Sequence, residues 1–243
     1  MRQFDVFVWG NDSTSTSKGE AAPPFTDKAL AWFFVDTPNE RLAESEAEWI
    51  VFAHSSVQID RQFLNDLAEC TSSSPMVDAF APRIHDSAAG KFISGFKLDK
   101  RSGLSMLEEN APLRFVAAPH PKLAAFSRRI VQRTGRFDDT LSIEAQFADF
   151  AFRMLHAGGK MFSVPYLVAN ATGIGTENAY VQAPRDLAYA LVKAFGIPHS
   201  ARFLIKNPKA ISHIWKNRKE LFEKRDKATL LSKFKKTSLA ELL

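Results

Sequence analysis

The chain has 243 residues and a mass of 27.1 kDa, and its 45% hydrophobic and 24% charged residues are ordinary for a soluble globular protein that can bury one large core. A single cysteine, Cys70, excludes an internal disulfide framework and a cysteine-based zinc site, and no apolar run approaches the roughly 20 residues needed to span a bilayer. The net charge of +5 is uneven: from Arg202 onward twelve Lys or Arg stand against four Asp or Glu, so a tail of +8 follows a body of −3, and the tail is the part suited to an anionic partner.

In chain order, FDVFVW over 4–9 is apolar except for Asp5 and predicts a central parallel strand. It is too short an apolar run for a secretory signal, and a reducing, cytoplasmic location is expected. The polar stretch that follows reads as a loop. Ligands of α/β sheets bind beyond the carboxyl ends of strands, which puts Trp9, Gly10, Asn11 and Asp12 on a candidate rim. AWFFV over 31–35 is the second strand, closed by Asp36, whose own reading is a turn or helix-capping residue. A polar helix is expected over 40–48. WIVFA over 49–53 is a third, buried strand, and His54-Ser55-Ser56 leads from it towards a helix over 61–70 that ends at a buried Cys70. Strand-like runs over 76–84 and 91–98 flank a turn at 85–90. His85 and His120 read as turn residues, since no second His or acid follows at ligand spacing.

The most informative segment is 118–164. It predicts a short strand over 122–125, a helix over 127–133, the acidic turn Phe137-Asp138-Asp139, a longer helix, and a strand over 160–164 before Pro165. Ile143, Phe147, Phe150, Met154 and Leu155 recur at helical spacing, so one face of the long helix packs on something large. Asp149 and Arg153, four apart, fall on a common side where they can pair. Gly158-Gly159 end the helix. Gly173-Ile174-Gly175-Thr176 lacks the strand-to-helix context and the lysine of a phosphate loop and reads as a plain loop. Helices are expected over 184–195 and 199–206, and then a long basic helix from Pro208. On it Ile211, Ile214, Trp215, Leu221 and Phe222 lie to one side, and Lys216, Arg218, Lys219, Lys224 and Arg225 to the other. That helix either docks on its own domain or lies in the plane of an anionic lipid surface. Nucleic acid is not expected, because stacking aromatics are not interleaved with the basic residues.

The run Gly135, Phe137, Asp138, Asp139, then Asp149 and Arg153, then Ala157-Gly158 and Val164-Pro165, resembles the acceptor-side half of the family-2 glycosyltransferases of the GT-A fold. There the segment reads G-x-F-D-E, E-D-x-D-L-x-x-R, A-G-y and y-V-P. Ala81, Pro82, Ile84, Asp86 and Gly90 match a further passage. The resemblance implies an α/β fold: a GT-A-like mixed, mainly parallel sheet flanked by helices over 1–182, shortened in its nucleotide-binding half, followed by a basic helical extension over 183–243. It implies nucleotide or sugar contacts at Trp9, Asn11, Asp36, His54, Ser56, Asp138 and Arg153. The departures are specific. The two metal-holding aspartates of the family fall on His54 and Ser56, the glutamate-aspartate pair that carries the general base falls on Gln146 and Phe147, and the later metal histidine falls among Ala169, Asn170 and Ala171. Magnesium and manganese need oxygen ligands, preferably carboxylates, so neither a divalent metal nor another cofactor is expected. A base would then be sought in Glu144, Asp139 or Asp149, and a cation for a departing diphosphate in Arg128, Arg129, Arg185, Arg202 or Lys206.

Two functions follow from the resemblance. One is metal-independent hexosyl transfer from a nucleotide sugar in surface polysaccharide or glycan assembly. The other is a non-catalytic relative that binds a glycan or a partner enzyme. The expected partners are a nucleotide sugar, a glycan or lipid-linked acceptor, and an anionic membrane surface met through the basic helices, which would place the protein peripheral to the inner face of a membrane.

Overall fold

The structure is a computed structural model that describes residues 2–10, 28–99, 101–107, 112–174 and 179–230. Its first half comprises β1 (Phe4–Trp9), β2 (Leu30–Phe34), β3 (Trp49–His54), β4 (Val57–Gln58), α1 (Arg61–Ser73), β5 (Ala79–Phe80), β6 (Arg83–Asp86) and β7 (Lys91–Ile93). There follow β8 (Phe96–Asp99), β9 (Gly103–Met106), β10 (Arg114–Phe115), β11 (Leu123–Ser127), α2 (Arg128–Thr134), α3 (Ile143–His156), β12 (Met161–Ser163) and β13 (Val168–Ala171). Three helices close the described chain: α4 (Pro184–Lys206), α5 (Pro208–Lys216) and α6 (Arg218–Leu230).

Seven strands form the main sheet in the order β10-β12-β5-β11-β3-β1-β2. β1 is parallel to both β2 and β3, β12 is parallel to β5, and β11 runs antiparallel between β3 and β5. The pleat sorts the side chains onto two faces. Phe7, Trp9, Ile50, Phe52 and Phe126 join α3 and α4 in one apolar cluster, while Val6, Val51, Ala53, Leu123 and Ala125 join α1 in the other. A four-stranded sheet, β4-β13-β6-β7, and the hairpin β8-β9 extend the molecule beyond this layer. Leu187, Leu191, Phe203 and Leu221 belong to the same cluster as Phe126 and Phe150, so the described part of 183–243 shares the core of the sheet.

The strands predicted at 4–9, 31–35 and 49–53 form within a residue of those bounds, and the long helix α3 carries the apolar spacing from Ile143 to Leu155 and ends before Gly158. The helix expected over 40–48 is one 3-10 turn, Leu42–Glu44. Asp5, fully buried in β1 and paired with Arg2, accepts hydrogen bonds from Ser45 Oγ at 2.8 Å, Glu46 N at 3.1 Å and Ala47 N at 3.3 Å. These contacts claim the groups that a helix would use. The run at 76–84 divides at Pro82, which has no N–H for a ladder, so β5 joins the main sheet and β6 the second one. The basic helix breaks at Asn217 into α5 and α6. Its apolar side divides too: Ile214 and Leu221 are buried, while Ile211, Trp215 and Phe222 are exposed. No described helix is long and apolar enough to cross a membrane.

Candidate functional site

The carboxyl ends of β1 and β3 lie side by side, Trp9 opposite His54, and the start of β11 meets them because Leu123 pairs with Ala53. The Trp9 ring stands edge-on to His54 at 4.6 Å and nearly parallel to Phe147 of α3 at 6.4 Å. One tryptophan therefore joins His54 and Phe147, the positions onto which the sequence resemblance lays a metal acid and the base. Phe147 is fully buried in an aromatic nest, with Phe52 at 5.8 Å and Phe137 at 5.2 Å. Gln146 beside it is 4% exposed; its Nε2 donates to the Leu141 carbonyl at 2.9 Å, while its Oε1 and the Trp9 Nε1 have no hydrogen-bond partner.

His54 Nδ1 accepts the Ser56 N–H at 3.1 Å and lies 2.7 Å from the Ser56 hydroxyl. Gly10, at φ 80°, passes so close that a Cβ there would run into the His54 imidazole, so the rim requires glycine at this point. Where the resemblance lays two metal acids, the chain has an imidazole engaged through Nδ1 and a neutral hydroxyl. Among the described residues no group of three His, Cys, Asp or Glu is placed to hold a metal. This donor set does not fit magnesium or manganese.

Two residues that the sequence reading left out as site residues complete the rim. Lys122, partly exposed, accepts the His54 N–H with its carbonyl at 2.8 Å. His120, 1% exposed, accepts the Lys122 N–H at Nδ1 over 3.2 Å. Burial first, then the neighbouring Lys122 and His54, push its pKa down to about 3 and keep it neutral. Their sequence signal is the turn just before β11, which becomes informative once β11 is known to pair with β3. Glu144 is partly exposed in the first turn of α3. Its charge adds to the effect of burial in raising the pKa of Tyr180, whose hydroxyl donates to the Pro119 carbonyl at 2.7 Å.

The acidic turn Asp138-Asp139 lies elsewhere, among α3, α4 and α6. Asp138 meets Lys193 Nζ at 2.9 Å, Lys224 Nζ at 3.0 Å and the Thr140 hydroxyl at 2.6 Å. Burial alone would raise its pKa, but Lys193, Thr140 and Lys224 together hold it well below the usual carboxylate range. Asp149, with 1% of its side chain exposed, takes Lys193 at 2.6 Å and Arg153 Nε at 2.8 Å. The other two Arg153 nitrogens donate to the carbonyls of Thr134 and Arg136 at 2.7 and 2.8 Å. Asp139 is exposed and accepts from Asn39 Nδ2 at 2.6 Å, and Asn39 also brackets Phe137 through its N–H and carbonyl. Asp36 is an exposed turn residue whose N–H donates to the Glu40 carboxylate at 2.7 Å. Asn11 lies outside the described residues.

The cations named for a departing diphosphate are spread around the molecule. Ser127 pairs with Trp49, at the opposite end of β3 from His54, so Arg128 and Arg129 sit at the far edge of the sheet, bound to the Glu46 carbonyl and to Asp78. Arg185 and Lys206 line a groove of about 690 Å³ where the starts of α3, α4 and α5 meet. Arg202 is exposed on α4.

No protein-family model matches the chain, and no curated protein matches its sequence. Solved structures do. GalNAc-T7 bound to UDP, GalNAc and manganese superposes with a TM-score of 0.58 at 10% identity over 90% of this chain. The chain spans about half of that protein, 54% of its length. A mannosyltransferase from Pyrobaculum calidifontis covers 100% of this chain and is itself covered over 87%, at a TM-score of 0.48 and 12% identity. TarS of S. aureus gives 0.48 and 13% over 83% of this chain and 70% of its own. The parallel β2-β1-β3 block, the antiparallel β11 inserted beside it and the superposition on GalNAc-T7 make this a GT-A-type glycosyltransferase fold.

Proposed function

We propose that the chain is a glycosyltransferase-like module of glycan or surface polysaccharide assembly, and that the rim at the carboxyl ends of β1 and β3 takes a nucleotide sugar or a glycan without a divalent cation and without turning it over. The observation that carries this reading is Phe147, fully buried against Trp9, at the position onto which the sequence resemblance lays the carboxylate base. An apolar ring cannot deprotonate an acceptor hydroxyl. Lys122 is partly exposed at this rim, and beside it lie the buried Trp9 Nε1 and Gln146 Oε1, two polar atoms without a hydrogen-bond partner that a ligand could reach only if the Trp9 side chain moves. Neighbours of this fold were solved with UDP or with GDP-mannose, which makes nucleotide sugars the first ligands to try.

A second reading, metal-independent transfer, draws on Lys122 and Glu144. The lysine could offset charge on a departing diphosphate and the glutamate could act as base from the first turn of α3. Calorimetric titration with UDP, GDP and their hexose conjugates, with manganese and after chelation, separates these readings when paired with an assay for released nucleoside diphosphate. Micromolar binding indifferent to manganese, with no release, is the expected result. Manganese-dependent binding or release overturns the proposal. Release without metal, abolished by Glu144→Gln and Lys122→Met, replaces it with the second reading.

A further inference from the structure

The C-terminal helices carry an uncovered apolar strip. On α5, Ala210 and Ile214 face the core, while Ile211 and Trp215, one helical turn apart on the adjoining shoulder, are 47% and 68% exposed. The strip continues past the break at Asn217, where the Arg218 guanidinium lies 4.8 Å over the Trp215 ring and Phe222, one turn further along, is 44% exposed. Lys209, Lys216, Arg218 and Lys219, all exposed, border it. Over 208–222 the only carboxylate is Glu220, and it pairs with Lys224 at 2.7 Å.

We propose that this face docks on a bilayer surface carrying anionic lipids, with Ile211, Trp215 and Phe222 entering the boundary between headgroups and acyl chains and the four cations meeting the phosphates. Charge selects this occupant over others. Protein interfaces are depleted of lysine, whereas apolar side chains in a cationic border suit an anionic lipid surface. A second copy seated face to face would bring the same four cations against each other. The inference goes beyond the proposed function and holds whether or not the rim of β1 and β3 binds a sugar.

The test uses the full chain and vesicles of phosphatidylcholine with or without phosphatidylglycerol, followed by co-sedimentation and tryptophan emission. Of the four tryptophans Trp9 and Trp49 are buried, Trp32 is partly buried and Trp215 is exposed, so the part of a blue shift that Trp215→Ser removes is the signal of Trp215. The expected result is binding to the anionic vesicles alone, reversed by high salt, with a blue shift that Trp215→Ser removes. Lys216→Gln and Lys219→Gln are each expected to weaken binding about fivefold, the equivalent of about 1 kcal/mol per cation. These side chains are exposed, and thermal melts check that the variants remain folded. Failure to bind, equal binding to neutral vesicles, binding unchanged in Trp215→Ser, or a dimer in sedimentation that Trp215→Ser dissolves would each overturn the proposal.

Discussion

Lys193 holds two carboxylates at once, Asp138 at 2.9 Å and Asp149 at 2.6 Å, with 4% of its side chain exposed. Removing the ammonium leaves both acids in a poorly solvated place, and Arg153 and Lys224 each answer only one of them. Breaking a buried pair in this way costs more than the pair contributes when intact, because the remaining charge keeps its desolvation penalty. Lys193→Met is therefore expected to lower unfolding free energy by about 3–5 kcal/mol in urea titrations. Lys193→Met combined with Asp149→Asn should fall short of the sum of the two single losses, since the residues touch. A double variant that merely adds the two would argue against this coupling. Half of the network is legible without coordinates: the Asp149–Arg153 spacing announces a pair. Lys193 is not, because it sits among Leu191, Val192 and Ala194 in a run that reads as one apolar helix, and only tertiary folding brings it to the acidic turn.

At the scale of elements, α6 behaves as a brace. Leu221 is fully buried, Lys224 reaches Asp138, and Arg225 donates to the Val192 carbonyl at 3.1 Å. The α4 backbone opens at Gly196, φ 82°, where a Cβ would collide with the Arg225 guanidinium, so the break in α4 and the seating of α6 depend on each other. Leu221→Ala should cost about 2–5 kcal/mol in the same titrations, as for a core leucine, and a loss under about 1 kcal/mol would show that α6 is only loosely attached. Elements of long hydrophobic period, such as β1, β3 and α3, are readable in the sequence because burial on one or both faces dictates their pattern. The segment at 40–48 is not, since Asp5 decides it from a distance of forty residues, and helix propensity is too weak to resist those bonds. The candidate site shows the same division. That His54, Ser56 and Phe147 stand where the resemblance lays acids is visible in the sequence, whereas the Trp9 ring that joins His54 to Phe147 emerges only from the packing of α3 on the sheet, and the rim at His120 and Lys122 only from the antiparallel placement of β11 beside β3.

For the whole molecule, groups that titrate in different pH ranges divide the acid side of the stability curve into two windows. His120 is neutral in the fold, with its pKa down at about 3, and His156 is shifted down as well, chiefly by burial and also by Arg225, with its Nε2–H donation to the Ala194 carbonyl acting in the opposite sense. The unfolded chain takes up these protons below about pH 6.5 while the folded one resists. Folding therefore carries the full histidine contribution above pH 6.5 and loses it as the pH falls towards the folded values. The limiting slope is about 1.4 kcal/mol per pH unit for each histidine. Asp138 acts lower: its folded pKa is depressed, so its contribution is complete above the unfolded value of about 3.9 and drains away only below that. His120→Asn keeps an acceptor for the Lys122 N–H but cannot titrate, so urea titrations at steps from pH 8 to pH 4 should show a flatter curve than the parent between pH 6.5 and 4. Asp138→Asn should leave that window unchanged and flatten the curve beneath it. If the His120→Asn curve runs parallel to the parent from pH 6.5 to 4, the acid loss of stability comes from other groups, and His120 is not the buried base that its surroundings of Phe96, Lys122 and His54 make it here.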